Sequence, residues 1–399
     1  MPTSPGARPL PLPSVWIMAL ALIAVAANLR TAITSVPPLL DVISADLGLS
    51  HAAAGALTTL PVLCMGLFAP VASVVAHRLG AVAAVLAAIL AILAGTASRF
   101  AADSWPILYA GTAVAGVGIA LAGTLLPRLV KTFFPPERAG LVTGLYMLAM
   151  MGGAALSSAL SVPLADRLGS WQASLGSWSV IVLVGTLAWA PFTRRANPHH
   201  TPDEAGPGRL PWRHRTAWLV AAYLALQSWA FYSAVTWLAP TYVEQGWSPS
   251  AAGYLAAVFS GTQIVSGLLG PVLSDRTADL RRLLLPVAAL GTLGCIGIWV
   301  APLAAPWLWA SVVGLGQGAA FSLGLVLLVR YSATPEASGR LTGMAFFASY
   351  SIASLGPLAM GLVRDVTGGL SLVWAVLAAA GVVQALVVLR LRPGLRRID

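Results

Sequence analysis

Arg30 is the only charged residue between Val15 and Leu40, a stretch otherwise apolar enough to cross a membrane. A cation held that deep in hydrocarbon costs at least about 2.5 kcal/mol, so such residues usually face wet or protein-lined cavities. A guanidinium is planar, stays charged at every cellular pH and can donate two parallel hydrogen bonds to a carboxylate-like group. The chemistry on offer is a counter-charge for an anionic or strongly dipolar solute. The competing reading is a structural tie to helix-end carbonyls. No acidic residue lies at comparable depth in any apolar stretch to neutralise the charge.

Other polar side chains could share that cavity. Asn28 precedes Arg30 by two residues, about 200° around a helix, whereas Thr34 lies one turn beyond it on the same face. Gln227, Gln263 and Gln317 are mid-span amides, able to donate and to accept. Phe231 follows Gln227 by four positions, so the two share a face, with Tyr232 alongside. Tyr146 completes the candidate substrate-binding set. Each of these residues could instead hydrogen-bond or pack between helices. Arg78, Asp275 and Arg276 fall in short polar loops and are candidates for gating, through ion pairs and helix-end contacts, or else plain topological charge. No mid-span cluster of His, Asp or Glu suits acid–base or metal chemistry, so no enzyme activity, metal or cofactor is expected.

The elements that must position these residues follow from composition. The chain has 399 residues, 58% hydrophobic and 9% charged, where soluble domains are about 25% charged. Twelve apolar segments, from 14–39 to 372–390, predict an all-α membrane protein of twelve transmembrane helices. Of the 23 basic residues, nineteen fall in parts that would share one side, Arg99, Arg167 and Arg364 fall on the other, and Arg30 is intramembrane. The positive-inside rule then predicts that both termini are cytoplasmic. The net charge of +10 is thus a topology signal, with the lipid bilayer as partner and no nucleic acid expected. Cys64 and Cys295 fall within apolar segments and read as free thiols.

The longest polar stretch, 193–215, divides the chain into expected six-helix bundles over 1–192 and 216–399. Their sequences repeat. Gly48-x-Ser50 recurs as Gly246-x-Ser248, Pro136-Glu137-x-x-Gly140 as Pro335-Glu336-x-x-Gly339, and Asp166 as Asp365, at an offset of 198 or 199 residues. A repeat spanning half the chain is typical of secondary transporters, with the substrate held near the midplane between halves. No G-x-x-x-x-G-K-[ST] nucleotide motif is present. Gly314-x-Gly316-x-Gly318 lies inside span ten, where small residues let helices pack closely.

The run Asn28-Leu29-Arg30-x-Ala32-x-Thr34, followed by Asp46-Leu47-Gly48-Leu49-Ser50 and Leu60-Pro61-Val62-Leu63-Cys64, resembles the cyanate permease and 2-nitroimidazole transporter family of the major facilitator superfamily. Gln227-Ser228, Gly316-Gln317-Gly318 and Asp365-x-Thr367-Gly368 extend the likeness through the second half. His77-Arg78-x-Gly80 replaces the superfamily's usual Asp-Arg, which sets the chain apart from typical proton-driven multidrug pumps. The resemblance implies a secondary transporter of the bacterial cytoplasmic membrane, expected as a monomer, moving a small anionic or polar nitrogenous solute by alternating access. A coupling proton is an open partner. Export of neutral drug-like compounds is the alternative, and the aromatic span seven would suit it.

Overall fold

A computed structural model describes residues 12–193 and 210–398, and these form helices almost throughout. Twelve helical stretches are long and apolar enough to span a membrane. The first combines α1 (Leu12–Thr34), a 3-10 turn (Pro37–Leu39) and α2 (Leu40–Leu47). Next come α3 (His51–Leu79), α4 (Ala81–Ala97), α5 (Trp105–Phe133) and α6 (Pro136–Leu168), then α7 (Trp171–Ser177) with α8 (Ser179–Thr193) as the sixth span. The last six are α9 (Arg215–Glu244), α10 (Pro249–Asp275), α11 (Arg281–Val300), α12 (Pro306–Arg330), α13 (Pro335–Thr367) and α14 (Ser371–Arg390). Most of the 193–215 linker lies outside the described residues.

Packing falls into three buried clusters. One is built only from the first six spans and another only from the last six and the tail beyond α14. The third joins both sets at the end of the molecule opposite the arginine-rich loops, around Leu39, Leu57, Trp237 and Phe259. The repeated motifs mark helix starts and stops. Ser50 accepts from the Ala53 amide at 3.1 Å and Ser248 from the Ala251 amide at 3.3 Å, so each side chain caps its helix. Gly48 and Gly246, at φ 64° and 88°, occupy the left-handed region just ahead of those caps, where a side chain would be strained. The glycines of span ten do bring helices together: a Cβ on Gly318 would sit 2.5 Å from the Gln263 carbonyl oxygen, and one on Gly316 2.7 Å from the Gly291 Cα.

The break after α1 shapes what lies around Arg30. Pro37 and Pro38 have no amide hydrogen to continue the helical ladder. The Val36 amide turns instead to the Ile33 carbonyl, at 3.4 Å. The Ala32 and Thr34 carbonyls are left needing other donors. Arg99 supplies the first: its Nη2 donates to the Ala32 oxygen at 2.8 Å and its Nη1 to Ser35 Oγ at 3.4 Å. Ser158 Oγ supplies the second, at 3.2 Å. Arg99 therefore corrects the expectation of an outer-loop charge, for it is only 1% exposed. The helix-end role left open for Arg30 belongs to Arg99. Replacing Arg99 by Leu strands the Ala32 carbonyl in an apolar interior, at a cost of about 1–3 kcal/mol. A lower thermal unfolding midpoint for Arg99→Leu in detergent checks this.

Candidate functional site

Between the two sets of six helices lies a cavity. Arg30 enters it from α1. Gln227, Phe231 and Tyr232 enter from α9, Gln263 from α10, and Met147, Met150 and Met151 from α6. Five of the nine residues singled out from sequence thus line one space: Arg30, Gln227, Phe231, Tyr232 and Gln263. Tyr350 of α13 lines it too and was missed, because a lone tyrosine in an apolar span carries no local signal.

The guanidinium carbon of Arg30 stands 4.6 Å from the Phe231 ring centre and 5.9 Å from that of Tyr232. Phe231 is held from behind by Phe259, stacked at 6.1 Å, and from the side by Tyr232, edge-on at 4.9 Å. Tyr232 in turn meets Tyr350 edge-on at 6.4 Å. Among the described residues no carboxylate pairs with Arg30 and no acceptor takes its N–H groups. Cation–π contacts are worth about 0.5–2 kcal/mol, less than even the lowest cost of an intramembrane arginine. The rings therefore orient the cation without neutralising it. The ring contacts leave its N–H groups without an acceptor among the described residues, available to one in the cavity.

The amides form a second polar wall. Gln227 Nε2 donates to Gln317 Oε1 at 3.1 Å and to the Gln317 carbonyl at 3.4 Å, while its Oε1 accepts from Ser228 Oγ at 3.2 Å. Ser349 Oγ reaches Ser228 Oγ at 3.2 Å and continues the chain to α13. Gln317 stands one layer back, facing a smaller cavity it shares with Gln384 and Cys295. Gln263 donates to the Phe259 carbonyl at 3.2 Å. The polar atoms of this wall come from the last six spans, and the cation comes from the first six.

Three expected binding residues lie elsewhere. Asn28 turns to α8: its Nδ2 donates to the Ala24 carbonyl at 2.7 Å and the Ile181 carbonyl at 3.4 Å. The 200° that separates it from Arg30 decides this. Thr34 shares a face with Arg30 only nominally. Its short side chain stays between helices, bonded to the Arg30 carbonyl at 2.9 Å and to Ser157 Oγ at 2.6 Å, whereas the longer arginine reaches past it. Tyr146 is buried in the core of the first six spans.

The loop residues stand apart from the cavity. Arg78, Asp275 and Arg276 are exposed and form no ion pair with a described residue. The helix-end contact at that place is made by Arg330, whose Nη2 donates to the carbonyls of Ser274 at 2.9 Å and Thr277 at 3.1 Å. In the same loop Arg281 is bonded to Asp279 and holds that carboxyl below its ordinary range.

At the end opposite the arginine-rich loops the two sets of helices touch. A Cβ on Gly55 would fall on the Pro357 carbonyl, one on Gly361 on the His51 carbonyl, and one on Gly253 2.7 Å from the Ser158 carbonyl. Toward the basic end they part: a Cβ on Gly123, Gly140, Gly144 or Gly339 would have no neighbour within 4 Å. The cavity is shut at the far rim and opens toward the basic loops.

Comparisons agree with this architecture. The family model described as Major Facilitator Superfamily matches residues 18–357. The 2-nitroimidazole transporter of Escherichia coli (strain K12) is 35% identical over 356 residues, covering 89% of this chain and 90% of that protein. The cyanate transport protein CynX of the same organism is 32% identical over 379 residues, covering 94% and 97%. Among solved structures, the inward open conformation of the xylose transporter XylE from E. coli superposes with a TM-score of 0.74 at 12% identity, covering 94% and 96%, a likeness of fold alone. With twelve membrane-capable spans and relatives at this level, the chain belongs to the Major Facilitator Superfamily and is a multi-pass transporter of the bacterial plasma membrane.

Proposed function

We propose that this transporter moves a small anionic or strongly dipolar nitrogenous solute by alternating access, with Arg30 as its counter-charge. The observation that carries the reading is a guanidinium lining the cavity over Phe231, with no hydrogen-bond acceptor among the described residues. Cyanate and 2-nitroimidazole, the solutes in the relatives' names, share a compact form and electron-rich terminal atoms that could accept from such an edge. The amides supply the rest. A solute held between Arg30 and the Gln227–Gln263 wall would touch both sets of six helices, so its binding would bias how they rock. Taking the basic end as cytoplasmic by the positive-inside rule, the conformation described is open to the inside.

An apolar wall gives a second reading some ground. Met147, Met150 and Met151 line the cavity from α6, the neighbour of α1, and would suit a neutral drug-like cargo.

Uptake into liposomes of radiolabelled cyanate and 2-nitroimidazole separates the two. A charge-assisted hydrogen bond contributes about 1.5–3 kcal/mol, so Arg30→Ala should lower transport at limiting solute about 10–150-fold. Arg30→Lys should fall between Ala and wild type, because it keeps the charge and loses the planar pair of donors. Undiminished transport by Arg30→Ala, with competition by neutral apolar compounds, would instead favour the drug-like cargo. Phe231→Leu should weaken solute binding by a smaller factor, about 2–5-fold, since only the cation's orientation is loosened. Isothermal titration of the purified variant with the transported solute reads that change.

A further inference from the structure

The far rim is closed by a contact that the solute site does not use. Asp365, near the end of α13, reaches across to the first turn of α3. Its Oδ1 accepts from the His51 amide at 3.0 Å and its Oδ2 from the Ala52 amide at 2.9 Å. Oδ1 also lies 2.8 Å from His51 Nδ1. Ser50 serves the next amide, that of Ala53. A helix start leaves its first amides without partners inside the helix and carries a partial positive charge, so a carboxylate there is held by hydrogen bonds and dipole together. Here the helix belongs to one set of six spans and the carboxylate to the other. Around the contact stand Asp41, exposed on α2, and the Glu244–Arg364 ion pair, 3.3 Å apart. The His51 ring also lies 6.4 Å from that of Trp237 on α9.

The sequence repeat makes this contact one-sided. At an offset of 198, His51 corresponds to Pro249, the first residue of α10, and at 199 Asp365 corresponds to Asp166. Pro249 has no amide hydrogen to offer. Asp166 is exposed and hydrogen-bonds no described residue. The α6–α10 side of the rim is closed by apolar packing and the backbone approach at Gly253, whereas the α3–α13 side also carries a charged cap.

We infer that Asp365, by capping the first turn of α3 across the interface, is the latch that holds the far rim shut and sets the resting preference for the inward-open state. The latch presupposes alternating access and does not depend on which solute is carried. Its donor can be removed without upsetting the helix. His51 is the first residue after the Ser50 cap, where proline is best tolerated, and proline is what the chain carries at the repeated position.

The test is a spin-label distance measurement on full-length protein in lipid nanodiscs. Labels go on Asp103→Cys and Ala304→Cys, exposed positions in far-rim loops of the two sets, with Cys64 and Cys295 replaced by Ala. Loss of a helix cap typically corresponds to about a fivefold change in equilibrium. Asp365→Ala and His51→Pro should each raise the ratio of the longer, open-rim distance to the shorter one by about that factor or more. A shift with Asp365→Ala alone still supports the latch, with the Ala52 amide as its principal donor. Unchanged distances in both variants, or a shift in His51→Pro alone, overturn it. If Asp365→Ala does not fold, Asp365→Asn, which keeps the shape and removes the charge, is measured in its place: a shift supports the latch and unchanged distances overturn it. Distances read rim opening without solute, so failure of the Arg30 reading leaves this result standing, and the reverse.

Discussion

A cation inside a membrane has to be answered by water, by an anion or by carbonyls, and this chain carries two such cations that are answered differently. Arg99 is answered by the protein. It takes up the Ala32 carbonyl, which the α1 ladder loses when the Val36 amide turns to Ile33, and so ties down the joint between α1 and α2. Arg30, less than one turn before Ala32, is then the cation that finds no protein acceptor, and it opens onto the cavity. The two roles are complementary. Because Arg99 ends the helix, Arg30 is free to serve the space between the helix sets.

The aromatic shelf gives that freedom direction. Phe231 is pinned by Phe259 and Tyr232, so the ring beneath the guanidinium has little room to turn. The Gln227–Gln317 pair restrains the facing amide in the same manner. Preorganised groups lose less freedom when a solute binds, which matters for a compact cargo with few atoms to contribute.

Much of this was legible in the sequence, because it rests on periodicity and on charge. Twelve apolar runs, the halfway repeat and the isolation of Arg30 need no tertiary information. The four-residue spacing of Gln227 and Phe231 put both on one face, and both reach the cavity. Rotation about the helix and side-chain reach were less legible. Asn28 and Thr34 sit in the most recognisable stretch of the chain, yet both spend their hydrogen bonds between helices. Arg99 was hidden for another reason: its partner carbonyl becomes available only through a helix break more than sixty residues earlier. The loop charges Arg78, Asp275 and Arg276 are exposed and pair with no described residue, and charge in a short loop carries no sign of its partner in sequence.

The methionines of α6 carry a consequence of their own. Met147, Met150 and Met151 are unbranched and polarisable, and their thioethers can rearrange around differently shaped neighbours at little cost. Beside a fixed guanidinium and restrained amides, this stretch of lining yields like putty. A chamber so lined would screen cargo by its electrical character and be lenient about its outline, and related chains would change what they carry by altering the methionines and leaving the arginine alone.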